Sequence, residues 1–316
     1  MSCQPTPPRR ETIVANNVRQ VNRTSEGMES IQKSQCGDLL AWPTKEELFR
    51  EPPVSQECDI CSLPMSNSVK PYVEGSLAIF LSCCGKRLCI GCHYTHSIVH
   101  GKHRCPFCRK PYVDVARDQK NNIRRAKEKK DPHSILIVAS MRQSGINGFE
   151  QDDKKIFKDL VESADLGNRD ACYALWNCYI EGSGVERDMN LAKYWCQVAA
   201  LRGCSASRVE LANFDLKARD PESAVRHLMI SCRQGNDDGL NFLGRLYRVG
   251  LKRKDPCVTK DQYAEALRSH KKCADSMKSD SRAAAVAFAR SLKSMFSSDF
   301  GFFFDDPNAV ESRDDD

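Results

Sequence analysis

Three stretches of this sequence have residue types and spacing suited to metal chemistry. They are Cys58-Asp-Ile-Cys61, Cys83-Cys84-Gly-Lys-Arg-Leu-Cys89-Ile-Gly-Cys92 and Cys105-Pro-Phe-Cys108, and they put eight of the 17 cysteines within 51 residues. Three of the pairs have the Cys-x-x-Cys spacing, which lets two thiolates of one tight turn grip a single ion, and four such ligands complete a zinc tetrahedron. The same cysteines paired as disulfides would need an oxidising compartment. Met1 to Arg10 contains no apolar core of a signal peptide. The spacing therefore predicts zinc, bound by Cys58, Cys61, Cys83, Cys84, Cys89, Cys92, Cys105 and Cys108, in a cytoplasmic or nuclear protein whose thiols stay reduced.

The elements that position these cysteines follow from the surrounding chain. A length of 316 residues suggests two domains. The apolar fraction of 41% and charged fraction of 28% are those of a soluble protein, and a net charge of +6 is too mild to demand a nucleic-acid partner. Apolar runs such as 135–139 are too short to span a bilayer. Residues 1–56 are rich in Pro, Ser, Thr, Asn, Gln and charge and are expected to form a disordered tail, with one helical turn within 45–50. Pro5, Pro7 and Pro8 beside Arg9 and Arg10 read as solvated tail rather than a docking element. Residues 57–113 form the zinc module, with a strand over 76–81 and a short helix around Tyr94–His100. A module this small needs the metal for its folding free energy. Residues 114–131 are a basic linker, and Arg124–Lys130 reads as its solvated face rather than as an import signal or nucleic-acid patch.

Residues 132–293 carry an internal repeat. Ala199-Ala200-x-x-Gly203 recurs as Ser163-Ala164-x-x-Gly167, as Ser231-Cys232-x-x-Gly235 and as Cys273-Ala274-x-x-Met277. Eleven residues before each end-point stands Ile156, Ala192, Ala224 or Ala266. Leu243-Gly244-Arg-Leu246-Tyr247-x-x-Gly250 and its counterpart Leu175-Trp176-x-x-Tyr179-x-x-Gly182 mark the first helix of a unit. A repeat of this length with two helical patterns means an α-solenoid of about four units. The small residues let paired helices approach closely, and Leu191, Trp195 and Val198 are core. Residues 251–261 read as a loop that lengthens the last unit. Residues 294–316 contain five phenylalanines and an acidic end and read as a frayed, disordered tail; the alternative is that the aromatics cap the final helix pair, which we prefer to their docking a partner.

The cysteine stretch resembles a RING finger. That resemblance implies a small α+β module with two zinc ions in cross-braced order. Cys58, Cys61, Cys89 and Cys92 would hold one ion, and Cys105 and Cys108 the other together with ligands from the Cys83–Cys84 region. It also implies that Ile60 and Pro106 contact a ubiquitin-conjugating enzyme and that Arg109 is the linchpin of the reactive complex. One position departs from the family pattern: Lys86 stands where a histidine ligand is expected. The remaining ligand is then Cys83, which we prefer, or one of His93, His96, His100 and His103.

The repeats resemble Sel1-like repeats, relatives of the tetratricopeptide repeat, with Gly182-Ser-Gly184-Val185-Glu-Arg-Asp188 matching the loop of that family. Sel1-like repeats are protein-interaction scaffolds. The two resemblances together imply a RING-type ubiquitin ligase without a covalent intermediate, which would recruit a protein substrate through the repeats and act by proximity. The alternative is a non-catalytic zinc-binding adaptor or scaffold. Nucleic-acid binding is disfavoured because the basic residues are not interleaved with stacking aromatics.

Overall fold

The structure, a computed structural model, describes residues 42–53, 56–65, 78–101, 103–111, 115–146, 148–253 and 257–295. Pro5, Pro7, Pro8, Phe296, Phe300, Phe302, Phe303 and Phe304 lie outside the described residues, so the readings placed on them do too.

The cysteine module contains a β-hairpin of β1 (Ala78–Leu81) and β2 (Lys86–Cys89), paired antiparallel with Ala78 opposite Cys89 and Leu81 opposite Lys86. A helix follows at once, α2 (Ile90–Tyr94), and winds into a π-helical turn, Thr95–Val99. The helix expected around Tyr94–His100 therefore begins four residues earlier. Cys89 is its N-cap and accepts a hydrogen bond from the Cys92 amide through its sulfur, so two cysteines fall in the first turn. Ahead of the module, Lys45–Leu48 forms α1, closed by a capping box between Thr44 and Glu47.

Residues 115–129, expected as a linker, form a helix, α3 (Val115–Lys129), that packs on the first helix of the repeats. Four helix pairs follow: α4 (Pro132–Gln143) with α5 (Asp153–Asp165), α6 (Arg169–Glu181) with α7 (Met189–Leu201), α8 (Ser205–Lys217) with α9 (Pro221–Arg233), and α10 (Asp237–Arg253) with α11 (Lys260–Ser276). A final helix, α12 (Asp280–Met295), closes the described chain. The loop expected over 251–261 is shorter, because α10 continues through Arg253.

The repeat signature accounts for this regularity. The end-points fall at the C-termini of α5, α7, α9 and α11. Gly167, Gly203 and Gly235 take φ of +93°, +88° and +75°, a left-handed turn open to glycine at little cost. Their amides donate to Ala164, Ala200 and Cys232, and the next residues donate to Ser163, Ala199 and Ser231. In the last unit Met277 replaces the glycine and stays right-handed at φ −91°. Ala192, Ala224 and Ala266 are fully buried, as close helix packing requires. Side-chain caps start α4, α5, α6, α7, α9 and α11, from Asp131, Asp152, Asn168, Asp188, Asp220 and Thr259. Two buried clusters result, one centred on Leu175, Trp176, Tyr194 and Trp195 and the other on Leu228, Leu243 and Val258.

Residues 42–53 are not a tail. Trp42 meets Tyr194 edge-on at 5.4 Å, and Phe49 lies 4.5 Å from His227. Arg208 donates to the Leu48 carbonyl, and Pro53 rests against Gly203. The expectation of disorder over 1–56 is thus corrected for this stretch: its apolar residues are used against the repeats. Residues 1–41 lie outside the described residues.

Candidate metal centres

The structure collects the eight predicted cysteines into two groups of four, Cys58 with Cys61, Cys89 and Cys92, and Cys83 with Cys84, Cys105 and Cys108. Within each group every sulfur lies within 4.8 Å of the others. All eight are free thiols. Cys61 and Cys89 have sulfurs 3.8 Å apart, and Cys84 and Cys105 3.7 Å apart. A disulfide would bring two sulfurs to about 2.05 Å. A zinc–sulfur length of about 2.3 Å in a tetrahedron puts neighbouring sulfurs about 3.8 Å apart. The donor set and its spacing fit zinc. Cys83 joins the second group. None of the four candidate histidines joins either group, and His96 bonds the Arg104 carbonyl through Nε2 at 2.7 Å.

Two of the Cys-x-x-Cys turns share one backbone plan. In the first, Cys58 donates to the Leu63 carbonyl at 3.0 Å, Ser62 donates to the Cys58 carbonyl at 2.9 Å, and Glu57 bridges Pro64. In the second, Cys105 donates to Lys110 at 2.8 Å, Arg109 donates to Cys105 at 3.0 Å, and Arg104 bridges Pro111. Ser62 and Arg109, each just after its second cysteine, both adopt positive φ, +55° and +60°. Such turns aim amides at sulfur. Burial alone would raise Cys58, yet the amides of Cys61, Cys89 and Ile60 outweigh it and bring the thiol to about 7. Cys105 is likewise lowered against its burial by the amides of Cys108 and Phe107. Burial raises the remaining shifted thiols, Cys61, Cys83, Cys84 and Cys92, and neighbouring cysteines push Cys83 and Cys92 further up. Four sulfurs at these distances cannot all ionise without a cation between them. Zinc binding here would release protons.

The module is held from two sides. On one, the guanidinium of Arg282 at the start of α12 is buried and reaches the first turn. It donates to Pro64 O at 2.8 Å, Leu63 O at 3.3 Å and Met277 O at 2.7 Å, and lies 4.0 Å from the Cys61 sulfur. Gly91 permits this approach, because a Cβ there would stand 2.7 Å from the Arg282 amide nitrogen. Tyr94 and Phe288 pack at 5.3 Å along the same seam, and α12 packs chiefly on α2. On the other side, Ser82 bonds Asp118 and Asn121 of α3. Arg125 covers the Cβ position of Gly85 and pairs with Asp131 at 2.7 Å. Phe80 lies 4.5 Å from His133 of α4. Arg125 belongs to the basic run read as a solvated face, but it is committed to this seam.

The three residues proposed to face a conjugating enzyme sit on the two matching turns. Ile60 is 46% exposed, Pro106 is half-buried and Arg109 is exposed. Sequence reasoning missed Arg282, Asp118 and Gly91. Nothing distinguishes Arg282 in the sequence from the other arginines of its helix region, and its partner Cys61 is 221 residues away.

No family model matches the chain, and no curated protein matches it. The chain is similar to several solved structures. One is a Sel1 repeat protein from Oxalobacter formigenes, at 21% identity and TM-score 0.44, over 58% of this chain and 70% of that one. Another is a protective antigen present in uropathogenic Escherichia coli strains displaying an SLR fold, at 22% and 0.42, over 59% of this chain and 37% of the antigen. A third is an immunity protein from Pseudomonas aeruginosa, at 20% and 0.40, over 53% and 64%. Among the described residues, no helix is long and apolar enough to cross a membrane.

Proposed function

We propose that this chain is a protein-interaction scaffold, in which a two-zinc module holds α3 and α12, the helices that flank the repeats, and the repeats carry the partner surface. One observation carries the reading: the buried Arg282 fork ties α12 to the Cys58–Cys61 turn. The module's helix α2 is thereby used inside the molecule. The reduced thiols this requires fit a cytoplasmic or nuclear protein.

In-cell cross-linking of the full chain tests the reading. Partners should attach through repeat lysines such as Lys158 and Lys217, both exposed, and not through Lys86 or Lys110 of the module. Partners linked chiefly to the module would overturn it.

A second reading, a RING-type ubiquitin ligase, is favoured by the exposure of Ile60 and Arg109 on the two turns. It expects the zinc-loaded chain to speed ubiquitin discharge from some charged conjugating enzyme. Ile60→Ala should then weaken enzyme binding, and Arg109→Ala should spare binding but slow discharge, because only the arginine fork can bridge two carbonyls. The scaffold reading expects no stimulation across a broad enzyme panel.

A further inference from the structure

Residues 42–53 cross the face formed by α7, α8 and α9, and each contact there has a defined chemistry. Trp42 lies against Tyr194 of α7. Lys45 pairs with Asp220 at 3.2 Å and Glu51 with Arg233 at 3.1 Å. Leu48 is buried, and Phe49 sits between His227 and the Arg226 guanidinium, whose carbon is 3.9 Å from the ring centroid. At the centre Arg208, 1% exposed, directs Nη1 to the Leu48 carbonyl and to His227 Nδ1 at 3.2 Å. Burial and the Arg208 cation hold His227 neutral, at about 3, so it accepts that bond. With one Nη1 hydrogen committed to His227 and Nη2 to the Ala200 carbonyl, the buried guanidinium has its other Nη1 hydrogen for a peptide carbonyl of the segment that lies on this face.

The occupant itself has the properties of an exchangeable ligand. Its helix is four residues long, too short to persist alone. Its two ion pairs are solvent-exposed and contribute little. Its buried anchors are few.

We propose that this face is a peptide-binding groove for a linear segment of a partner protein, and that residues 42–53 fill it in cis until that segment displaces them. The inference rests on the scaffold reading and names its surface. The partner segment has an aromatic residue, a helical turn closed by a Thr-x-x-Glu capping box, and an apolar–aromatic pair after it, the pattern Trp42, Thr44, Glu47, Leu48, Phe49.

The test uses the full zinc-loaded chain and a fluorescent synthetic peptide of sequence 42–53. Trp42→Ala with Phe49→Ala weakens the occupant, so the variant should bind the peptide at least about tenfold more tightly than wild type, since apparent affinity scales with the open fraction. Adding Arg226→Ala, which removes an exposed cation from the ring contact, should weaken that binding severalfold. Should the double variant lose its helical circular dichroism, a protease site inserted at 54–55 replaces it: after cleavage, excess peptide should release fragment 1–53 on gel filtration. A folded double variant that ignores the peptide, or a cleaved fragment that never exchanges, overturns the proposal. A dimer with exchanged segments also overturns it, because the occupant is then a second copy. None of these outcomes alters the cross-linking or discharge results, which decide the scaffold reading separately.

Discussion

The interior of the repeats contains Leu175, Trp176, Tyr194, Trp195, Leu228 and Leu243, packed helix against helix. Among the described residues, the buried interior of the cysteine module is Met65, Leu81, Leu88 and three of the candidate ligands, Cys58, Cys89 and Cys105. The first is an apolar core that excludes water by itself, worth roughly 25 cal/mol for each Å² buried. The second is a shell around sulfur, and without a cation those sulfurs repel or stay protonated. The difference predicts which region depends on the other. The repeats have an apolar core of their own and should stand without the module, whereas the described interior of the module is half cysteine and α12 packs chiefly on it.

Removing the metal should break this comparison most sharply. Elemental analysis of the purified chain should give two zinc ions per molecule; a ratio near one would mean that one cysteine group is not a site. A strong chelator should unfold the module, since structural zinc contributes about 10–16 kcal/mol of apparent binding energy in small fingers. By circular dichroism the loss of helix should extend to α2 and α12 and stop there, with α4 to α11 retained. Full loss of helical signal would show that the solenoid needs its staple. Cys83→Ser should lower zinc content, whereas His93→Ala and His96→Ala should not.

The next test is the seam itself. Arg282→Ala would leave the part-buried carbonyls of Pro64 and Met277 without this donor, while Leu63 would keep only its bond from the Cys58 amide. Each such loss costs about 1–3 kcal/mol, so a total of about 3 kcal/mol is expected. Arg282→Lys keeps the charge but not the fork, and should recover only part of it. Gly91→Ala, which puts a methyl group into the α12 backbone, should cost about 1–3 kcal/mol by overpacking. Both changes should speed zinc transfer to a colorimetric chelator while leaving the thermal transition of the repeats unmoved. Equal effects on both transitions would mean that the two regions fold as one unit.

Much of this arrangement was legible in the sequence, and for identifiable reasons. Cysteine spacing is local, so Cys58–Cys61 and Cys105–Cys108 announced their turns, and Cys83 and Cys84 both fall in the second group of four. The repeat was legible because Gly167, Gly203 and Gly235 answer the same backbone demand at a regular period. What was not legible is contact at long range. Arg282 and Cys61 are distant in the chain, Arg125 looks like its basic neighbours, and Trp42 and Phe49 lie in a polar stretch whose composition hides their anchoring role. The helix boundary at Ile90 was misplaced because a cysteine that caps through its sulfur gives none of the usual Ser, Thr, Asp or Asn capping signal.

The smallest effect expected is in acid, and it sharpens the comparison residue by residue. His133 and His227 are both held neutral. Burial brings His133 to about 4, with Arg87 pushing the same way against Asp131 and Asp170, and brings His227 to about 3. The ordinary value is about 6.5. A folded pKa below the unfolded one means that the unfolded chain takes up the proton first, so stability is complete above pH 6.5 and declines as the pH falls towards 4 and 3. Between pH 7.5 and 5.5 each histidine should therefore remove about 1 kcal/mol. The two differ in where they sit. His133 packs on Phe80 of the module, while His227 lies wholly among the repeats and residues 42–53. In the zinc-loaded chain, His133→Gln and His227→Gln should each flatten the pH dependence by a similar amount. Once the metal is removed and the module has come away, His133 is open to water in the folded repeats, so His133→Gln should change nothing while His227→Gln keeps its effect. Comparing each variant with its parent at each pH cancels the acid release of zinc, which is common to both. If His133→Gln retains its full effect in the metal-free protein, the hairpin remains docked on α4 without its ions, and the module owes less of its placement to zinc than its sulfur-lined interior implies.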